Sequence, residues 1–195
     1  MDTTVSRNCN FGFARTKYFR LSDTCPQYLS FSPIVFYMRP SRYFPKKSSV
    51  NAVIDIVAYV MGSMLEKEKS ANDGIALVAN MEGWTMTNFS IPYWHKFMMT
   101  LEGHRVPTKV ELLLIVNPPS WFGSIWSIMK QMLSEDFGKK VYIIKRDRLK
   151  EYLAPGFEEY LPDDIQGGNA STAAMVQRFV ADRKEIESLK ILRPR

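Results

Sequence analysis

The chain has 195 residues, 46% of them hydrophobic, with 26 Lys and Arg against 20 Asp and Glu, a net charge of +6. That length and apolar content suit one domain with a real core. The moderate positive excess fits attraction to an anionic surface, but alone does not choose membrane over nucleic acid. Cys9 and Cys25 are the only cysteines, too few for a disulfide framework, so a reducing compartment is the default. The two histidines, His95 and His104, lie apart and near no cysteine, which argues against zinc. No apolar run reaches the ~18 residues of a membrane span. The best candidate, Val53 to Leu65, is short and carries Asp55. Met1–Ser32 lacks the apolar stretch of a signal peptide. The expectation is a cytoplasmic protein associating peripherally with membranes.

In chain order, Met1–Ser32 shows no clean periodicity and reads as a divergent extension. Ile34–Met38 is short, β-branched and aromatic, hence a strand. Arg39-Pro40 ends it, and Ser41–Ser49 is a basic loop. Val50–Lys69 repeats apolar residues at helical spacing, with Ser49 as a candidate cap. Asn72-Asp73-Gly74 is a turn, and Ile75–Ala79 a strand apolar throughout, as when both faces are covered. Pro92 suits the first turn of a helix running to about Leu101. Val110–Val116 is the third strand, stopped by Asn117-Pro118-Pro119. Ser120 is placed to cap a helix over Trp121–Leu133. Ser134 can cap a short helix before a fourth strand, Lys140–Ile144. Leu149–Leu153 is a short helix, and Leu161 to Gly168 a turn-rich exit. Ser171–Leu189 is a last helix, amphipathic through Met175, Phe179 and Val180. Strands alternating with helices predict an α/β fold on a mainly parallel sheet with right-handed crossovers.

Catalysis needs convergent titratable groups, and the sequence offers few. No Gly-x-Gly-x-x-Gly or Walker-type loop follows a strand, so no phosphate-bearing cofactor is expected. No Gly-x-Ser-x-Gly elbow exists. Asp55 and Glu82 are carboxylates with no evident pairing, and His95 reads more readily as a structural or surface histidine than as a base. The expectation is a protein that is not an enzyme.

The helix over Trp121–Leu133 stands out instead. Trp121, Phe122, Ile125, Trp126, Met129, Met132 and Leu133 form one wide apolar face, from which Ile128 departs. Packing on the sheet as plain core would explain the apolar content. It explains less well the use of adaptable methionine and amphipathic tryptophan, which suit varied partners and a membrane interface. Next come Lys139, Lys140, Lys145, Arg146, Arg148 and Lys150, with Asp147 the only acid among them. Beside an apolar helix such a cluster would attract anionic headgroups at ~1 kcal/mol per charge. The aromatics are not interleaved with these cations, so nucleic acid is not the expected partner.

At these residues the chain resembles the CRAL-TRIO lipid-binding domain of the retinaldehyde-binding, tocopherol-transfer and yeast-type phosphatidylinositol-transfer proteins. Four segments carry the likeness. Pro33-Ile-Val-Phe-Tyr-Met-Arg-Pro40 is like the family's opening strand, and Gly74-Ile-Ala-Leu-Val-Ala-Asn-Met-Glu-Gly83 like its Gly-x-x-x-Ile-x-Asp-x-x-Gly strand and turn. Ile115-Val-Asn-Pro-Pro-Ser-Trp-Phe122, followed by Leu133-Ser-Glu135 and Lys139-Lys140, is similar to its strand end, gate helix and connector. Leu161-Pro-Asp-Asp-Ile-Gln-Gly-Gly168 is like its Leu-Pro-x-x-x-Gly-Gly.

The resemblance implies a sheet flooring an apolar cavity under a mobile gate helix, with lipid as the partner. It implies a domain over residues 33–170, between the extension at 1–32 and a C-terminal helix and tail at 171–195. Carried onto this chain, the cavity and gate would comprise Phe36, Met38, Leu77, Ala79, Leu114 and Val116 from strands. From the gate they would comprise Trp121, Phe122, Ile125, Trp126, Met129 and Leu133. Lys139, Lys140, Lys145 and Arg146 would meet headgroups or an anionic membrane. Asn80 replaces the family's usual Asp, Asn169 a Lys of the phosphatidylinositol-transfer members, and Asp136 a basic position. The family's usual helical cover before the first strand has no counterpart in Met1–Ser32. The expected function is binding, with intermembrane transfer, of a phospholipid or other lipophile. The alternative is a phosphoinositide-binding recruitment domain without net transfer, and a weaker one an α/β enzyme.

Overall fold

The computed structural model describes residues 34–66, 74–103, 106, 108–153, 161–165 and 171–191. The expectations for Met1–Ser32, for Asn72-Asp73 and for the double glycine with Asn169 lie outside them, as do Cys9, Cys25 and His104.

Four strands form one sheet in sequence order: β1 (Ile34–Met38), β2 (Ile75–Asn80), β3 (Val110–Val116) and β4 (Val141–Ile144). Every pairing is parallel. The crossovers carry α1 (Val50–Leu65), α2 (Ile91–Glu102), α3 (Phe122–Lys130) and the single turn α4 (Glu135–Gly138). A long C-terminal helix, α5, spans Thr172–Ile191.

Strands added in sequence order by right-handed crossovers leave every crossover helix on the same side of the sheet. The two cores agree. On one face Phe36, Met38, Leu77, Ala79, Leu113 and Ile115 pack with residues of α1, α2, α3 and α4. On the other, Val35, Tyr37, Ala76, Val78, Leu112, Leu114 and Val116 pack with Leu149, Tyr152, Leu153, Leu161 and Ile165. β1, β2 and β3 are therefore buried on both sides, which is why β2 and β3 read as nearly unbroken apolar runs.

Register fixes which residues share the helix-covered face. Phe36 lies beside Leu77, which lies beside Leu113; the next row is Met38, Ala79, Ile115 and Ile143. A register shift after Ile75 leaves Glu111 as an extra residue of β3. Gly74 sits against it at φ +81°, where a Cβ would lie 2.5 Å from the Glu111 Cγ, so only glycine fits.

The structure moves several sequence-drawn boundaries. α1 ends at Leu65, and Ser49 precedes it without a side-chain cap bond. α3 begins at Phe122, not Trp121, and Ser120 does not cap it. Asn117 takes a left-handed φ of 55°, and the Phe122 N–H donates to the Pro119 carbonyl, so the chain enters α3 through a backbone turn. α3 stops at Lys130 and continues in turns through Leu133, short of the expected Leu133 end. Ser134 does cap α4, accepting from the Phe137 N–H. The expected helix at Leu149–Leu153 is a 3₁₀ helix over Arg146–Glu151. In α5, Phe179 packs against the core, but Val180 is exposed. There Arg183 is buried, bonded to Glu66 and to the Tyr59 hydroxyl of α1.

Candidate functional site

A cavity of about 60 Å³ lies between the helix-covered face of the sheet and α2 and α3. Its floor is Met38, Ala79, Leu113 and Ile115. Ala79 makes the hollow: its strand neighbours in the row are Met38 and Ile115, so a methyl stands between two long side chains. Met81, Trp84 and Phe89 line the connection leaving β2; Tyr93, Trp94 and Phe97 come from α2, and Phe122 and Met129 from α3.

The α2 residues project together because positions 93, 94 and 97 recur at helical spacing. The helix is fixed at its start by Pro92 and by Ser90, whose Oγ accepts the Tyr93 N–H at 3.2 Å. Two groups of rings enclose the space. Tyr43 stacks on Tyr93 with centroids 4.3 Å apart, and Tyr93 on Phe97 at 5.8 Å. Trp84 stacks on Trp121 at 4.9 Å and meets Phe89 and Phe122 edge-on. Phe122 stacks on Trp126, which meets Trp94 edge-on.

α3 is only nine residues long. Helices that short are marginal in water, so tertiary packing holds it. Phe122 and Met129 are its buried residues, and Trp121, Ile125 and Trp126 pack partly buried against the core. The Trp94 indole N–H donates to the Met129 carbonyl at 3.3 Å, tying the last turn to α2. Gly123, Ser124, Ser127, Lys130 and the apolar Ile128 face outward.

Of the strand residues expected to line the cavity, Met38 and Ala79 do so, and Phe36 and Leu77 share their face. Leu114 and Val116 lie on the opposite face, and this corrects the expectation. In a pleated strand alternate residues point to opposite faces, so the floor takes Leu113 and Ile115 instead. From α3, Phe122 and Met129 line the cavity, while Ile125 and Trp126, with the flanking Trp121 and Leu133, pack partly buried against the core without lining it.

The basic cluster is not one patch. Lys139 and Lys140 precede β4 and Lys145 and Arg146 follow it, so the strand separates them. Lys140 Nζ contacts Glu111 Oε2 at 3.1 Å and the Val110 carbonyl at 2.9 Å. Arg146 pairs with Glu82, which corrects the reading of that carboxylate as unpaired. Lys139 bridges Glu135 at 2.9 Å on the surface, and Lys145 is exposed.

Beneath the cavity, at the strand ends on the opposite face, lies a polar network that sequence reasoning missed. The Tyr37 hydroxyl donates to Asp164 Oδ1 at 2.7 Å, and Arg39 pairs with Asp164 Oδ2 at 2.7 Å. Asn80, fully buried, donates to the Tyr37 hydroxyl oxygen at 2.9 Å and accepts the Glu82 N–H. Burial first, then the bond to Asp164, push the Tyr37 phenol far above its ordinary pKa, so it stays a neutral donor. The network anchors the Leu161–Ile165 segment across the sheet. Among the described residues no group of His, Cys, Asp and Glu could hold a metal ion, and no helix is long and apolar enough to cross a membrane.

Comparison with known proteins agrees with this architecture. The chain is 24% identical over 125 residues to tyrosine-protein phosphatase non-receptor type 9 of Mus musculus and of Homo sapiens. That alignment covers 64% of this chain and 20% of the phosphatase, so the chain spans about a fifth of that relative's length. It is 23% identical over 111 residues to the alpha-tocopherol transfer protein-like protein of Mus musculus, covering 56% of this chain and 32% of that protein. The crystal structure of Sfh5 superposes with a TM-score of 0.55 at 14% identity, covering 93% of this chain and 67% of that one, a likeness of fold. Residues 32–167 match the CRAL/TRIO domain as a family, and the chain belongs to that family of lipophile-binding domains.

Proposed function

We propose that the chain binds one lipophilic molecule in the cavity between the sheet and α2 and α3, with α3 as the gate, and carries it between membranes without catalysis. The observation that carries this reading is a cavity lined by apolar and aromatic side chains beneath a short helix fastened by ring packing and one indole bond. At about 60 Å³ it is far below the roughly 300–1,000 Å³ of a ligand pocket. Loading therefore requires α3 to move outward. Three cavity methionines, Met38, Met81 and Met129, can then re-form around a guest.

Ile128, 49% exposed on α3, and the exposed Lys139 and Lys145 are the groups offered to an anionic membrane. Lys140 and Arg146, held in less exposed pairs than the surface bridge of Lys139 to Glu135, contribute less. Transfer between vesicles tests the reading: donor vesicles carry a fluorescent lipophile and a quencher, and acceptors carry neither. Fluorescence should recover in proportion to protein. Recovery no faster than without protein refutes transfer, and vesicle binding without recovery favours a recruitment domain.

A further inference from the structure

Two connections whose inner sides line the cavity also present an outer surface. Both leave the carboxyl ends of neighbouring strands, one after β1 and one after β2. Asn88 joins them: its side-chain amide donates to the carbonyls of Ser41 and Tyr43, at 3.0 and 2.8 Å. Tyr43, Trp84 and Phe89 point inward to the cavity. Phe44 and Met86 are exposed on the same connections, and α2 continues the surface with Ile91 and Met99. Ile91, His95 and Met99 recur at four-residue spacing and are all exposed, so one stripe of α2 carries them. Phe44, Met86, Ile91 and Met99 are 39–60% exposed and make up half of the large exposed hydrophobics among the described residues. Such side chains are ordinary when scattered singly, but on adjoining segments they mark a contact surface.

The charge around them has one sign. Residues 40–54 and 83–101 contain Arg42, Lys46, Lys47 and Lys96 and no Asp or Glu. Arg42, Lys46 and Lys47 are exposed, and among the described residues no carboxylate pairs with them. Lys140 and Arg146, by contrast, are held by Glu111 and Glu82. Lys47 Nζ lies 5.2 Å from the centre of the Phe44 ring, which sets an ammonium beside an apolar tip. Apolar side chains bordered by free cations match the boundary of an anionic bilayer, where acyl carbon lies beneath phosphate. The aliphatic and thioether groups here offer no stacking platform for bases, so nucleic acid is the poorer match.

We propose that this surface docks on an anionic lipid bilayer, with Phe44, Met86 and Ile91 entering the headgroup region and Arg42, Lys46 and Lys47 meeting lipid phosphates. The carboxyl ends of the strands then face the membrane, and the exposed Lys145 after β4 stands at that same end. This docking does not depend on what the cavity holds.

Co-sedimentation of the whole chain with phosphatidylcholine vesicles, with and without phosphatidylserine, tests it. Phosphatidylserine should tighten binding at least about tenfold at low salt, and the gain should fade as salt rises. The double variant Lys46→Ala/Lys47→Ala should bind the anionic vesicles at least about tenfold more weakly. Met86→Ser should weaken binding at least about threefold while keeping its salt dependence. In the unmodified chain, vesicles should slow amide hydrogen exchange at residues 42–47 and 85–91. Protection confined to other segments overturns the proposal, as does unchanged affinity in the double variant. A dimer that becomes monomeric in Met86→Ser assigns the surface to a second copy of the chain and also overturns it. So does tighter binding to single-stranded DNA than to anionic vesicles. Docking by this surface without transfer of a fluorescent lipophile overturns the transfer reading alone.

Discussion

Ala79→Leu separates a true cavity from ordinary core by the sign of a single stability change. Ala79 is 6% exposed and lies between Met38 and Ile115 on the floor. Leucine adds three carbons. If they enter existing space, burial at about 0.8 kcal/mol per carbon contributes about 2.4 kcal/mol. Loss of rotamer freedom removes about 0.5–1 kcal/mol, leaving a gain of about 1.5–2 kcal/mol. If the floor were close-packed, the same carbons would cost about 1–3 kcal/mol. Urea unfolding reads the difference. With a slope of about 2 kcal/mol per molar, the midpoint should rise by about 0.8 M. The filled space should also weaken binding of a neutral probe at least about tenfold. Destabilisation by more than about 1 kcal/mol refutes the cavity. Stabilisation with unchanged affinity means that the guest sits elsewhere.

Other variants test the surrounding parts. Asn80→Asp puts a carboxylate in a fully buried site beside the Tyr37 hydroxyl and the Asp164 carbonyl. Burial and neighbouring oxygens raise its folded pKa above the unfolded value of about 4, so the folded state holds the proton more tightly. The variant should be near wild type below pH 4 and lose stability as pH rises, by about 3–5 kcal/mol at most. Urea midpoints that track wild type across pH 4–8 would refute that. Trp94→Phe removes the bond to the Met129 carbonyl and should cost about 1 kcal/mol while speeding probe release several-fold, read by stopped flow. Unchanged release would mean that α3 is not the gate. Lys139→Ala and Lys145→Ala should each weaken binding to anionic vesicles about fivefold at low salt, with the effect fading as salt rises. Lys140→Ala should act more on stability, since it strands Glu111; equal effects of all three on vesicle binding would contradict this division.

Much of the scaffold is legible in the sequence because local rules decide it. Ile34–Met38 and Val110–Val116 are strands with the expected bounds, and the Pro118-Pro119 stop marks the turn into α3. The orientation of the sheet is less legible. Parallel strands covered on both faces have no polar side, so alternation could not choose between Leu113 with Ile115 and Leu114 with Val116. Knowing that all crossover helices share one side, the row Met38–Ala79–Ile115 then fixes the choice by register.

The aromatic wall from Trp84 to Phe97 is visible as composition and is richer in rings than the stretch Trp121–Leu133. No local pattern marks it as a wall, because its members sit in a loop and a helix start and form no single periodic stripe. The Tyr37–Asn80–Asp164–Arg39 network joins residues more than a hundred positions apart, which no local pattern reveals. The basic cluster is hard to place from sequence for a related reason. Proximity in sequence suggests one patch, but the extended β4 carries its two halves apart, and Glu111 of β3 and Glu82 of the turn after β2 pair with them.

The most direct test of the central claim is mass spectrometry of the purified chain, native to count bound molecules and after organic extraction to identify them. The account predicts one lipophile per protein, lost in Ala79→Leu. A chain that carries no lipophile, and takes up none after incubation with mixed lipid vesicles, would contradict it.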